Sequence, residues 1–138
     1  MTLEPAVLDT DVASHLHRGT LTGPLATRLI GREVLITFVT YGELTKWAEI
    51  RDWGEGRRSA LASWLARIAV LSGDEAVSAT WGRLSAAAAR RGRPRPVNDM
   101  WIAACCLTHN VPLATLNIKD FEDFSQQHGL RILGTGSS

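Results

Sequence analysis

The chain lacks any apolar run long enough to cross a bilayer, which takes about 20 predominantly apolar residues. It also lacks a basic segment followed by an apolar stretch at its start, so no signal peptide is visible. Its two cysteines, Cys105 and Cys106, are adjacent and cannot join distant segments, which excludes a disulfide-stapled scaffold. These absences predict a reduced, soluble, cytoplasmic protein that does not contact a membrane.

Neither sign of charge is in excess. Fifteen Lys and Arg against 14 Asp and Glu leave a formal net charge of +1, which excludes an acidic tail and a histone-like basic surface. The length of 138 residues, with 45% hydrophobic and 21% charged residues, predicts one globular domain over residues 1–138. Within it, we expect residues 134–138 to form a flexible tail.

Short apolar runs alternate with helical patterns along the chain. The runs cover residues 6–8, 34–39, 68–71, 111–114 and 130–133. The helical patterns cover a segment beginning at Val12 and residues 40–51, 56–67, 74–91, 98–109 and 118–128. Asp11, a capping box at residues 40–43, and Asn98 are the expected helix caps. This alternation predicts an α/β domain with a mostly parallel sheet that is covered by helices on both faces.

Four acidic residues lie near the ends of these predicted elements: Asp9, Glu43, Asp99 and Asp120. Ligands of open α/β sheets bind at the carboxyl edge of the strands, and there the four carboxylates could converge. Such a group would repel by several kcal/mol in total without a cation, and Mg²⁺ prefers oxygen ligands of this kind. Helix capping and interaction with helix dipoles are the alternative roles for the same residues.

Four motifs that contain these acids resemble those of PIN-domain ribonucleases, especially the VapC toxins of toxin–antitoxin pairs. The motifs are Ala-Val-Leu-Asp-Thr-Asp at 6–11, Thr-Tyr-Gly-Glu-Leu at 40–44, Asn-Asp-Met-Trp-Ile-Ala-Ala at 98–104, and Leu-Ala-Thr-Leu-Asn-Ile-Lys-Asp-Phe at 113–121. Each is weak alone, but their order and spacing are similar to the family's over nearly the whole chain.

The resemblance implies a three-layer αβα sandwich of the PIN type. It also implies an endoribonuclease that depends on Mg²⁺ or Mn²⁺ and hydrolyses RNA phosphodiester bonds by metal-activated water. The expected partners are an RNA substrate such as tRNA or ribosomal RNA, a cognate antitoxin, and a second copy of the chain in a homodimer.

By position in the motifs, Asp9, Glu43 and Asp99 would hold the metal ion and form the catalytic core. Asn117 occupies a position where many PIN domains have another acid, so the resemblance makes Asp120 the candidate for the fourth ligand. The remaining polar residues of the motifs are expected to orient these acids by hydrogen bonds: Thr10, Asp11, Thr115 and Asn117. Asp11 could also be an extra ligand or a helix cap.

Four arginines precede the Asp99 motif and are named the arginine segment: Arg90, Arg91, Arg93 and Arg95. Arginine suits bidentate phosphate contact, so the segment is either an RNA-binding element or a solvated loop. Five tryptophans could stack on bases, although their helical patterns favour packing within the protein: Trp47, Trp53, Trp64, Trp81 and Trp101.

Two other functions fit part of the pattern. Asp9 and Asp11 also form an Asp-x-Asp motif like that of haloacid-dehalogenase-like phosphatases. Against this, position 13 is Ala where that motif has Thr or Val, and Asp74 precedes the late lysine, Lys119. The other alternative is a non-catalytic PIN-like module that binds RNA or a partner protein, although acids at all four motif sites argue against it.

Overall fold

Strands and helices alternate along the chain in the computed structural model, which describes residues 3–134. The strands are β1 (Ala6–Leu8), β2 (Val34–Thr37), β3 (Ala69–Leu71), β4 (Leu113–Ala114) and β5 (Ile132–Leu133). The helices are α1 (Thr10–Arg18), α2 (Gly23–Leu29), α3 (Phe38–Ile50), α4 (Glu55–Arg67), α5 (Glu75–Arg90), α6 (Val97–His109) and α7 (Ile118–His128). Residues 135–138 of the expected tail lie outside the described residues.

The strands form one sheet in the order β3-β2-β1-β4-β5, and every neighbouring pair is parallel. In the centre of the sheet, Val7 of β1 pairs with Leu35 of β2 on one side and with Leu113 of β4 on the other. The chain therefore adds strands first to one side of β1 and then to the other. This order opens a crevice at the carboxyl ends of β1 and β4, where parallel α/β sheets bind their ligands.

Successive strand residues point into two separate hydrophobic cores, as the two-residue repeat of a strand requires. Val7, Leu35 and Leu113 pack in one core with buried residues of α5, α6 and α7. Leu8 and Ile36 pack in the other core with α1, α2, α3 and α4. The predicted αβα sandwich with a parallel sheet is therefore confirmed.

Two predicted boundaries were wrong in the first half of the chain. Asp9, rather than Asp11, caps α1, because β1 leads into the helix without a loop and the Asp9 carboxylate accepts a hydrogen bond from the Val12 N–H. The run at 34–39 contains a strand end and a helix start, since α3 begins at Phe38. Its cap is Thr37, whose hydroxyl accepts from the Thr40 N–H, so the capping box predicted at 40–43 lies inside the helix.

The cap predicted at Asn98 was also wrong, because α6 begins one residue earlier, directly after Pro96. The ring of Pro96 holds its own φ at −55°, close to a helical value. Pro96 occupies the N-cap position of α6, where the helix does not require a backbone N–H. Helix α2 was not predicted, although Pro24 in its first turn and the buried pair Leu25 and Leu29 are signals of a short helix. None of the helices in residues 3–134 is long and apolar enough to cross a membrane.

Candidate active site

Five carboxylate side chains line one pocket of about 160 Å³ at the carboxyl edge of the sheet, named here the acidic pocket: Asp9, Asp11, Glu43, Asp99 and Asp120. They come from the end of β1 and from α1, α3, α6 and α7, which are far apart in the sequence. The structure thus brings together all four of the acids predicted as catalytic residues and metal ligands.

Asp9 is held in place at both carboxylate oxygens. Its Oδ1 accepts a hydrogen bond from the Val12 N–H at 2.9 Å, and its Oδ2 accepts one from the Thr115 hydroxyl at 2.5 Å. Thr115 follows β4 and in turn accepts from the Asn117 N–H at 2.9 Å. Because only 4% of Asp9 is exposed, these bonds orient the carboxylate in the floor of the pocket.

Glu43 is oriented from two sides of the pocket. The Thr10 hydroxyl donates to Glu43 Oε1 at 2.6 Å and lies 2.9 Å from the buried Thr40 hydroxyl. On the opposite side, the Asn98 amide donates to Glu43 Oε2 at 3.5 Å. The hydrogen bond predicted for Thr10 is therefore present, whereas the contributions of Thr40 and Asn98 were not predicted.

The rim of the pocket pairs the two remaining polar residues of the motifs. The Asn117 amide donates to Asp11 Oδ2 at 2.8 Å, and both residues are exposed. Asp120, also exposed, lies in the first turn of α7, and Asp99 lies half-buried in the first turn of α6. Among the described residues, none donates a hydrogen bond to the Asp99 side chain, which leaves its oxygens available to the pocket.

Burial and mutual repulsion disfavour the charged forms of two pocket acids. Burial raises the pKa of Asp9 to about 6, with smaller increases from the charges of Asp11 and Asp99, against the opposing effect of its hydrogen bonds. Burial also raises the pKa of Asp99 to about 6, assisted by the charges of Asp120 and Glu43, while Arg95 opposes the increase. Clustered acids with raised pKa values in a cleft are typical of functional sites.

The donor set fits a hard divalent cation. Carboxylate oxygens are the ligands that Mg²⁺ and Mn²⁺ prefer, and the pKa values of Asp9 and Asp99 are raised first by burial and then by neighbouring carboxylates. Within residues 3–134, no three Asp, Glu, His or Cys side chains are gathered tightly enough to hold a metal ion as they stand.

Three apolar residues that were not predicted complete the lining of the pocket: Trp47, Ile102 and Phe121. Their positions follow from helical spacing, because Trp47 is four residues after Glu43 and Ile102 is three after Asp99, on the same helix faces. Phe121 adjoins Asp120 and is buried in the core beneath it. These side chains exclude water from one wall and strengthen the electrostatic interactions in the pocket.

The arginine segment is divided between two roles by the structure. Arg91 forms an ion pair with Asp123 of α7 at 2.7 Å, which ties the end of α5 to α7. Arg95 lies near enough to Asp99 for its charge to lower the pKa of that acid. Arg90 and Arg93 are exposed.

Comparison with known proteins gives consistent matches over almost the whole chain. Residues 6–126 match the PIN domain family. Ribonuclease VapC1 of Haemophilus influenzae (strain R2866) is 30% identical over 119 residues, which are 84% of this chain and 89% of that protein.

Solved structures extend the match to the fold. The structure of VapBC-1 from nontypeable Haemophilus influenzae has a TM-score of 0.77 and 26% identity, covering 96% of this chain and 98% of that one. VapBC-5 from Mycobacterium tuberculosis, a member of the VapBC family of toxin–antitoxin systems, has a TM-score of 0.72 and 26% identity, with 94% and 98% covered.

Proposed function

Because the chain belongs to the PIN domain family, we propose that it is an endoribonuclease that hydrolyses RNA phosphodiester bonds at the acidic pocket. We further propose that it acts as the toxin of a toxin–antitoxin pair, since its relatives include a ribonuclease VapC1 and VapBC assemblies. The observation that carries the proposal is the convergence of five carboxylates from separate elements on one small pocket.

In this proposal, Asp9, Glu43, Asp99 and Asp120 hold Mg²⁺ or Mn²⁺. When bound, such an ion supplies positive charge for the phosphoryl oxygens and lowers the pKa of a water molecule. The Asp9 carboxylate is held in one orientation, because the Val12 N–H and the Thr115 hydroxyl each donate a hydrogen bond to one of its oxygens. Thr10 fixes Glu43 Oε1 in the same way. This preorganisation reduces the cost of arranging like charges around the reacting phosphate.

The proton equilibrium of the pocket acids suits hydrolysis near neutral pH. With pKa values of about 6 in the metal-free protein, Asp9 and Asp99 are mostly ionised at pH 7 and can therefore bind a cation. Trp47 and Ile102 shield these groups from bulk water on one side.

A cognate antitoxin protein is the proposed regulator, by analogy with the VapBC assemblies that share this fold. A homodimer, as the resemblance implies, stays a prediction. The phosphatase alternative is less well supported, because Lys119 is not among the residues that line the acidic pocket.

The test is RNA cleavage by the purified, antitoxin-free protein. We expect total RNA to be cut in Mg²⁺ or Mn²⁺, cutting to stop in EDTA, and added metal to restore it. Cleavage that persists in EDTA would contradict the metal dependence, and a folded protein that cuts no RNA would contradict the nuclease itself. Hydrolysis of a small phosphomonoester instead of RNA would favour the phosphatase.

A further inference from the structure

A second cavity, of about 390 Å³, adjoins the acidic pocket and is named here the aromatic groove. It lies between α3 and the start of α6, and its walls include Phe38, Gly42, Lys46, Trp47 and Trp101. The acidic pocket, at about 160 Å³, is smaller than the 300–1,000 Å³ typical of sites that enclose an organic ligand. The aromatic groove falls within that range.

The aromatic rings of the groove are held in fixed positions. Trp101 stacks on Trp81 with ring centroids 5.0 Å apart and planes at 16°. The Phe38 and Trp101 rings pack edge to face with their centroids 5.5 Å apart, and Phe38 remains 36% exposed. Rigid aromatic surfaces that stay accessible bind planar ligands at little cost in conformational entropy.

The groove adjoins the acidic pocket and has a cation on its wall. Glu43 and Trp47 line both cavities, so a nucleotide in the groove lies beside the pocket, and Lys46 and Glu43 are the charged residues of the groove lining. Lys46 lies on the groove and is exposed, and the Arg51 guanidinium lies 5.0 Å from the centre of the Trp47 ring. Aromatic faces with adjacent cations are the combination that binds single-stranded nucleic acid.

We propose that the aromatic groove binds an unpaired nucleotide of the RNA next to the bond that is cleaved, with its base stacked on the aromatic wall and its phosphate near Lys46. The inference rests on the proposed function and adds a subsite for one unstacked base beside the scissile phosphate. A fully paired helix keeps its bases stacked inside and cannot offer one to the groove.

Gly42 makes the groove testable without disturbing the core. It lies within α3, and a Cβ added there meets no heavy atom within 4 Å. Gly42→Leu should therefore fill the groove while slightly stabilising the helix. Gly82→Leu is the matched control, because Gly82 is also an exposed glycine inside a helix with open space around it, and it does not line the groove.

Two probes measure the contribution of the base separately from that of the phosphates. One is a fluorescent single-stranded oligouridylate of about ten nucleotides, within the usual site sizes for such proteins, and the other is an abasic chain of equal length. Binding is read by fluorescence anisotropy in EDTA, so that the probe stays intact. We expect wild type and Gly82→Leu to prefer the oligouridylate by about 5- to 150-fold, as one stacked base predicts, and Gly42→Leu to lose that preference.

The ratio of the two affinities decides the question. It is insensitive to any effect of Gly42→Leu on the neighbouring Glu43, which would weaken both probes equally. A wild type without preference, or a Gly42→Leu variant that keeps it, overturns the inference. If total RNA is still cleaved in that case, the proposed function survives; a preference without cleavage of any RNA supports the groove and contradicts the nuclease.

Discussion

Asp99→Asn distinguishes an acid of a crowded carboxylate site from an ordinary first-turn residue. In the first turn of α6, the charge of Asp99 interacts favourably with the helix dipole, which is worth ~0.3–1 kcal/mol. In the acidic pocket, the same charge is opposed by burial and by Asp120 and Glu43. The two roles therefore predict opposite changes in the stability of the metal-free protein.

The pKa of Asp99 sets the size of the effect. An increase from 3.8 to about 6 corresponds to about 3 kcal/mol of destabilisation by the ionised form, at about 1.4 kcal/mol per pKa unit. This is an upper limit, because solvent screens a half-buried group. After subtraction of the lost dipole interaction, Asp99→Asn should stabilise the metal-free protein at pH 8 by about 1–2 kcal/mol, or roughly 3–10 °C in Tm.

The stabilisation of the metal-free protein by Asp99→Asn should depend on pH. The folded-state pKa of Asp99 lies above its unfolded value, so protonation favours the folded state. This contribution is fully present below about pH 4 and is lost as the pH rises through about 6. The difference between Asp99→Asn and wild type should therefore be large at pH 8 and should disappear near pH 4.

Thermal melts with and without Mg²⁺, combined with an RNA cleavage assay, test the reasoning. Mg²⁺ should stabilise the variant less than wild type, because stabilisation follows the affinity of the native state for the ion. Glu75→Gln is the matched control: Glu75 is a first-turn acid of α5 outside the pocket, and the loss of its charge should slightly destabilise the protein at pH 8, opposite to the effect of Asp99→Asn. An Asp99→Asn protein that is less stable at pH 8 yet still cuts RNA would refute the assignment.

Three further predictions concern the surroundings of the pocket. Changing Arg90, Arg93 and Arg95 of the arginine segment to Gln should weaken RNA binding and reduce the slope of log affinity against log salt concentration by about 2; an unchanged slope would show a solvated loop. Thr115→Val removes a hydrogen bond that lowers the pKa of Asp9, so the acidic limb of the pH–rate profile should move to higher pH than in wild type. Stabilisation by Mg²⁺ should be weak below pH 6 and increase above it, because protons compete for Asp9 and Asp99.

The sheet could be predicted from the sequence because continuous apolar runs are typical of strands covered on both faces. The run at 6–8 coincides with β1, and the alternation of strands and helices required a parallel sheet. The boundary between a strand and a helix was harder to predict where apolar residues continue from one element into the next. Phe38 and Val39 belong to α3, yet they extend the apolar run of β2 without a break, so hydrophobicity alone cannot separate the two.

The acids could be predicted, but only some of the groups that hold them could. The motifs identified four of the five pocket acids as catalytic residues, and strand order takes their elements to one edge of the sheet. Thr10 was expected to orient the acids only through the resemblance of its motif, and Asn98 was not expected to do so. Their hydrogen bonds to Glu43 span 33 and 55 residues, and no local periodicity encodes contacts at such separations. They depend on how α1, α3 and α6 pack against one another.

Asp9 shows why a cap and a pocket acid were hard to tell apart in the sequence. The two roles are not alternatives here, because the carboxylate that caps α1 through the Val12 N–H also faces the pocket. The helix N-terminus offers N–H groups and a favourable dipole to a carboxylate that burial would otherwise force to protonate. Capping thus lowers the pKa of Asp9 against the effect of burial and keeps the acid largely ionised at neutral pH. Placing the acid between the end of β1 and the start of α1 therefore lets one side chain stabilise the fold and supply charge to the site.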